Sequence, residues 1–381
     1  MWKARLLIGL LILILTAAAF LLWPRRPMPV QHEPEAPTVR TQPALRSSAG
    51  ADAAVEHSPG FDAEAGKFFE LASRDAPAPE IRAGFLALKK RVHELPPDGA
   101  AAELIRELRT GRDTTTGLAF RVGEHGTIAD PTTYRVGLLD LLGQTEPEAA
   151  LAFSREILTT TASADEFAIA LRNVAWLNVD GRFNAELTNT FSAMLDRPGW
   201  LTNPTAGFLE AFDVAVAVGG PAMAIELASV IGVSSEPAGS RITEAAAALA
   251  LERLMIREPD AILSAIQQNA QWLDWAPEIR GSLLARLDVR EGRQNAFLRD
   301  YLTRTTVPEA EMSRFVRTFP DLSFRGSHRL VTGPEKIERF RGIDGATIRQ
   351  INEWLTDPTM APAVARLEAI RDRLIRLNTP P

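Results

Sequence analysis

The chain of 381 residues contains no cysteine and only five histidines. The missing thiol excludes disulfides, thiolate metal sites, a cysteine nucleophile and a lipidated N-terminal cysteine. It leaves the compartment open, because exported proteins can also lack cysteine. His32 and His57 fall in a proline-rich stretch, which leaves His93, His125 and His328. Zinc needs three or four well-placed ligands, and neither an HExxH motif nor a closely spaced histidine pair is present in the body of the chain. There is no GxSxG elbow, no P-loop and no GxGxxG fingerprint. His93, within RVHEL, reads as a surface or packing residue of a helix, and His125 as a solvated turn residue. Ser327 stands beside His328, but sequence neighbours seldom form a nucleophile–base pair. No catalytic, cofactor-binding or metal-binding residue is assigned. Two acids carried on distant helices would leave no local trace, so carboxylate chemistry stays open. Basic excess is also missing: 42 Lys/Arg stand against 48 Asp/Glu, and the balance is more acidic still beyond residue 60. Such a chain repels phosphate backbones, so nucleic acid is not an expected partner.

A long apolar run is present. Leu6 to Trp23, LLIGLLILILTAAAFLLW, carries no charge and is flanked by Lys3, Arg5, Arg25 and Arg26. As a helix it rises about 27 Å, close to the ~30 Å hydrocarbon core. A cleaved export signal ending at Ala17-Ala18-Ala19 is the alternative, but Phe20-Leu21-Leu22-Trp23 continues the run beyond that site. The expectation is a transmembrane anchor with Leu6, Leu15 and Phe20 in the bilayer, Trp23 at its interface and residues 1–5 as a short head. The basic flanks are nearly balanced. A five-residue head stays inside easily while a long C-terminal region translocates, which favours a cytoplasmic N-terminus and an extracytoplasmic body, periplasmic in a bacterium. An anchored intracellular adaptor is the reverse reading. Residues 24–60 hold Pro24, Pro27, Pro29, Pro34, Pro37, Pro43 and Pro59 with few large apolar residues, and read as a disordered tether reaching roughly 35 Å.

The chain as a whole has 46% hydrophobic and 24% charged residues, the balance of a globular or repeat protein. Residues 61–130 predict three helices, around Phe68 to Leu71, Ile81 to Val92 and Ala102 to Leu108. A small β-hairpin follows over Leu118–Asp130, turning at Glu124-His125-Gly126. Beyond Pro131, apolar residues recur at helical spacing: Ala150, Phe153 and Ile157; Phe167, Leu171 and Val174; Leu187, Phe191 and Met194; Met223, Leu227 and Val230; Ile242, Ala246 and Leu249; Leu263, Ile266 and Leu273. Pro147, Asp165, Asn184, Pro204, Pro221, Ser240, Pro259 and Pro277 mark helix starts 17 to 20 residues apart. Proline suits a first helical position because its missing N–H would have had no partner there. Two helices make a unit of roughly 37 residues. EPEAALAF at Glu146–Phe153 is echoed by EPDAILSA at Glu258–Ala265, three such units later.

On these spacings residues 131–310 resemble the HEAT-like helical-repeat class. The resemblance implies an all-α, α-solenoid-like stack of hairpins, with protein binding along a concave surface as the class commonly shows. TPR repeats are the nearest alternative; their period is about 34 and their Trp-Leu-Gly-Tyr pattern is not reproduced. An irregular helical domain is the third reading. Residues 311–381 form a basic segment and a final amphipathic helix with Val364, Leu367, Ile370, Leu374 and Leu377 in one stripe, expected to cap the stack. Within the basic segment Arg325, Arg329, Arg339 and Arg341, with phenylalanines interleaved, are the candidate partner patch; a solvated face over buried aromatics is the plainer reading. The expected function is a membrane-anchored protein-binding or scaffolding module without catalysis. The alternative is an enzyme, or an accessory domain of one, acting on envelope material through carboxylates.

Overall fold

Proline and capping hydroxyls set where the helices begin. The computed structural model describes residues 58–232, 238–269, 271–321, 329–333 and 342–378. The expected anchor, with Leu6, Leu15, Phe20 and Trp23, lies outside them, as do tether residues 24–57 and Arg325, Arg339 and Arg341. Among the described residues no helix is long and apolar enough to cross a membrane. They are mostly helical and belong to one unit, Ala54–Pro381.

Three helices open the unit: α1 (Pro59–Ser73), α2 (Ala78–Glu94) and α3 (Pro97–Arg109), so the first begins inside the expected tether. Strands β1 (Arg121–Val122) and β2 (Ile128–Asp130) then pair antiparallel around a turn at Glu124–Gly126, where His125 takes φ 56° and Gly126 φ 77°. The paired strands are shorter than the alternation suggested. Next come α4 (Tyr134–Thr145), α5 (Pro147–Thr160), α6 (Ala164–Trp176) and α7 (Asn184–Leu195). Thr133 and Ser163 accept from Val136 N and Glu166 N and cap α4 and α6. α4 packs against α1, α2, α3, α5 and α6, which is why nine of its twelve residues are buried and why its sequence lacks a clean polar face.

The even spacing breaks between residues 198 and 218. Three short helices stand there: α8 (Pro198–Thr202), α9 (Ala206–Glu210) and α10 (Phe212–Val218). Pro204 is not a helix start; it lies in the link between α8 and α9, and Thr205 supplies the cap to Phe208 N. Regularity resumes with α11 (Gly220–Val230), α12 (Ala238–Arg257), α13 (Pro259–Gln268) and α14 (Pro277–Leu284). α12 buries Ala246 as expected but turns Ile242 outward and leaves Leu249 half-buried, while Thr243, Ala247 and Ala250 are buried beside Ala246. The hydroxyl of Thr243 donates to Leu201 O at 2.9 Å, so α12 meets α8 almost backbone to backbone. A Cβ on Gly239 would collide with the Thr202 carbonyl oxygen. Gly239→Ala should therefore cost about 1–3 kcal/mol by overpacking despite the better helix propensity of alanine, read as a lowered urea midpoint with unchanged slope.

The remaining helices are α15 (Gly292–Thr303), α16 (Glu309–Thr318), α17 (Ile343–Thr356) and α18 (Val364–Asn378). α18 packs on α16 and α17 through Leu367, Ile370 and Leu374; the outer members of its stripe, Val364 and Leu377, stay exposed. Packing partners follow a rule along much of the chain. A helix touches its sequence neighbour and the next but one, as α4 with α5 and α6, α11 with α12 and α13, and α14 with α16.

Candidate functional site

Among the described residues no group of three or more His, Cys, Asp or Glu side chains stands together to hold a metal. His93 and His125 are exposed, and His93 Nδ1 lies 2.7 Å from Lys89 O. Ser327 and His328 lie outside the described residues. Of the candidate patch, Arg329 alone is described; its side chain is exposed, and Phe315 and Phe319 nearby in sequence are fully buried. A cleft of about 390 Å³ opens between α13, α14, α15 and α16, walled by Ile266, Leu284, Phe297 and Tyr301. Its acids, Asp274 and Glu311, are both engaged by Arg280, so no acid–base pair stands free in it.

The unusual chemistry is buried. Asp140 of α4 and Arg172 of α6 have fully buried side chains and meet at 2.5 Å between Oδ1 and Nη1. Asp140 also accepts from Ile128 N at 3.1 Å and from Gln144 Nε2 at 2.6 Å. Arg172 donates to Gly126 O at 2.9 Å and to Asn173 Oδ1 at 2.7 Å, and its guanidinium lies 3.9 Å from the Trp176 ring centroid. Burial pushes the Asp140 carboxyl up against the pull of Arg172, and burial likewise lowers the Arg172 guanidinium. The pair thus grips both sides of the hairpin tip, through the carbonyl of Gly126 and the amide of Ile128.

The tip leads to a second pair. A Cβ on Gly126 would collide with the Leu330 carbonyl, which together with φ 77° explains glycine there. Leu330 is fully buried in the segment Arg329–Gly333, which has no regular secondary structure. Arg329 N donates to Glu210 Oε2 at 3.1 Å, and Val331 N and Thr332 N donate to Asp213 Oδ2 at 2.6 and 2.7 Å. The Thr332 hydroxyl donates to Asp213 Oδ1 at 2.6 Å and accepts from Arg253 Nη2. Arg253 Nη1 meets Asp213 Oδ1 at 2.7 Å. Three helices, α9, α10 and α12, therefore hold one irregular strap, bent at Leu330 and Val331, whose residues lie 118 and 119 positions beyond the acids that bind it.

A third cluster sits at the hairpin's other end, where Asp130 accepts from Arg82 Nε and Arg121 Nε, each at 2.9 Å. Burial alone would raise the Asp130 carboxyl, but the two guanidiniums outweigh it and hold the group below its usual range. A depressed folded pKa adds stability that is fully present above the unfolded value near 3.9 and is lost as pH falls through the folded one. Acid unfolding followed by circular dichroism should therefore show a limb below about pH 4 that Asp130→Asn flattens. An unchanged limb in the variant would remove Asp130 as its source.

None of Glu210, Asp213, Arg253, Thr332, Asp140 or Arg172 stands in a recognisable motif. The available signal is a lone charge inside an apolar helical run, as in VGLLDLLG, FAIALRNVAWL and FDVAVAV; in ALALERLM two charges, Glu252 and Arg253, stand together. A charge so placed must be buried, and a buried charge needs a partner. No family model, no curated protein and no solved structure matches this chain.

Proposed function

We propose that this chain is a membrane-tethered α-solenoid of helical hairpins whose body binds a protein partner or scaffolds an assembly. The observation that carries the reading is the strap: helices α9, α10 and α12 already hold a short irregular stretch of the chain's own polypeptide by its main-chain amides, one apolar side chain and one hydroxyl. That is the vocabulary of protein–protein recognition. Support for stacked hairpins comes from the ion pairs between helices. Arg135–Glu166, Arg155–Glu186, Arg172–Asp140 and Arg280–Glu311 span 31 or 32 residues, about one helical hairpin, so each links a helix to the next but one, and Arg286, in the turn just past α14, reaches Glu252 of α12. The body is assigned outside the cytoplasm on the N-terminal run, whose anchoring role is part of this proposal.

In cross-linked cells, the full chain and a version lacking residues 1–57 should capture the same proteins. If capture by the shortened version is empty while the full chain retains partners, binding belongs to the N-terminal segment and the reading fails. Protease added to intact cells should digest the body; digestion only after the cytoplasm is opened would reverse the orientation.

A further inference from the structure

Lysine is scarce in this chain and segregated. Of the 42 Lys/Arg only five are lysine, and the three among the described residues, Lys67, Lys89 and Lys90, all stand on α1 and α2. Arginine supplies the ion pairs between helices, whereas none of these three lysines is in an ion pair. On α2, Arg82, Leu86, Lys89, Lys90 and His93 recur at intervals of three and four and so share one face, which is turned outward. Leu86 stands at its centre and is 66% exposed. The nearest acids of that helix, Glu80 and Glu94, lie at the margins of the face and are engaged by Arg74 and Arg91. Asp130 engages Arg82, which leaves two lysines as the unpaired cations beside an exposed leucine.

The N-terminal segment joins the unit at the same end of α2. Ser58 N donates to Oε1 of the buried Glu103 at 2.7 Å, and Arg91 Nη2 donates to Ser58 Oγ at 2.8 Å. The chain therefore enters at a fixed point, beside the residue that follows Lys90. Resting on the membrane-tether reading above, we propose that the outward face of α2 docks on the anionic lipid surface of the bilayer that holds residues 6–23. Lipid is favoured over an acidic protein because the tether arrives at this end of the face and keeps it within roughly 35 Å of the headgroups. A surface held that close docks through a weak attraction. Each lysine near an anionic surface is worth about fivefold, and Leu86 stands where an apolar side chain enters the headgroup boundary. Docking fixes which end of the helical unit faces the bilayer.

The test uses the full chain, in which the absence of cysteine makes Leu86→Cys a unique site for a fluorescent label. The labelled chain is reconstituted into vesicles of phosphatidylcholine alone or mixed with an equal part of phosphatidylglycerol, each containing a lipid with a nitroxide quencher on its headgroup. Quenching should appear in the anionic vesicles and not in the neutral ones, and about 1 M salt, with a screening length of ~3 Å, should abolish it. Lys89→Glu/Lys90→Glu should lower the ratio of docked to undocked chain at least tenfold. A label at Val179→Cys, an exposed position in the turn after α6, should stay unquenched. Equal quenching in both kinds of vesicle, equal quenching at both positions, or quenching that survives the double substitution overturns the proposal. A chain that floats with both kinds of vesicle and is quenched in neither sinks this face and keeps the anchor; a chain that floats with neither sinks the anchor and this face with it. If quenching is absent and the double substitution removes a protein captured by the native chain, the face belongs to an acidic protein and the lipid proposal is overturned.

Discussion

Arg172→Leu is expected to lower the unfolding free energy by about 3–5 kcal/mol, measured by urea denaturation of the full chain. The side chains of Asp140 and Arg172 are fully buried, so removing the guanidinium leaves a carboxylate with no cation in a low-dielectric interior. It also strips the donor from Gly126 O and from Asn173 Oδ1. Two effects oppose the loss: Asp140 still accepts from Ile128 N and Gln144 Nε2, and its already raised pKa lets it take a proton. Those keep the loss within the quoted range rather than beyond it. The double variant Asp140→Leu/Arg172→Leu should recover part of the loss, because no charge is then buried unpaired. It should not recover all, since Ile128 N and Gly126 O are left without side-chain partners at about 1–3 kcal/mol each if water does not reach them. A double variant as unstable as the sum of the single ones would show that the pair is not coupled.

Helix starts were legible where a single residue type decides them. Pro147, Asn184, Pro259 and Pro277 open α5, α7, α13 and α14 at the residue expected, because first-turn proline and a change of period are local signals. Pro204 misleads because Pro198 and Pro204 both punctuate one stretch and the chain answers with short helices on either side. The outward turn of Ile242 on α12, beside the buried Ala246, has a related reason. Its alanine-rich run, EAAAALALE, carries almost no contrast between faces, so the neighbouring backbone at Leu201 decides which side goes in. The turn at Gly126 was legible as a turn but not as the contact with Leu330, since nothing local says what lies above a glycine. The same holds for the strap. Asp213 and Thr332 are each visible as a lone polar residue, but the 119 residues between them leave their pairing to tertiary structure.

Asp213→Ala is expected to cost about 4–6 kcal/mol and to release the strap. The substitution deprives Val331 N, Thr332 N, the Thr332 hydroxyl and the Arg253 guanidinium of one acceptor group. Three neutral donors left unsatisfied and buried would cost about 1–3 kcal/mol each, and the lost Arg253–Asp213 ion pair adds to that. Detaching the strap returns those donors to water at the loss of Leu330 burial, about 1.5–3 kcal/mol, and of the net worth of the three hydrogen bonds, about 0.5–1.5 kcal/mol each. Detachment is the smaller penalty, so the altered chain should keep its helices while its strap comes loose. Arg253→Met tests the reasoning from the other side. There the carboxylate remains with three donors around it, and the strap should stay seated with a smaller loss of stability. Trypsin reads the difference at Arg329, whose side chain is exposed but whose amide is held by Glu210. Cleavage after Arg329 should be at least tenfold faster in Asp213→Ala than in the native chain and little changed in Arg253→Met. Equal rates in all three would mean that the acid does not hold the strap. Because Gly126 lies between Leu330 and Arg172, combining Asp213→Ala with Arg172→Leu should cost less than the sum of the two. Once the strap has left, the hairpin tip is open to water, and the donor that Arg172 supplied to it matters less.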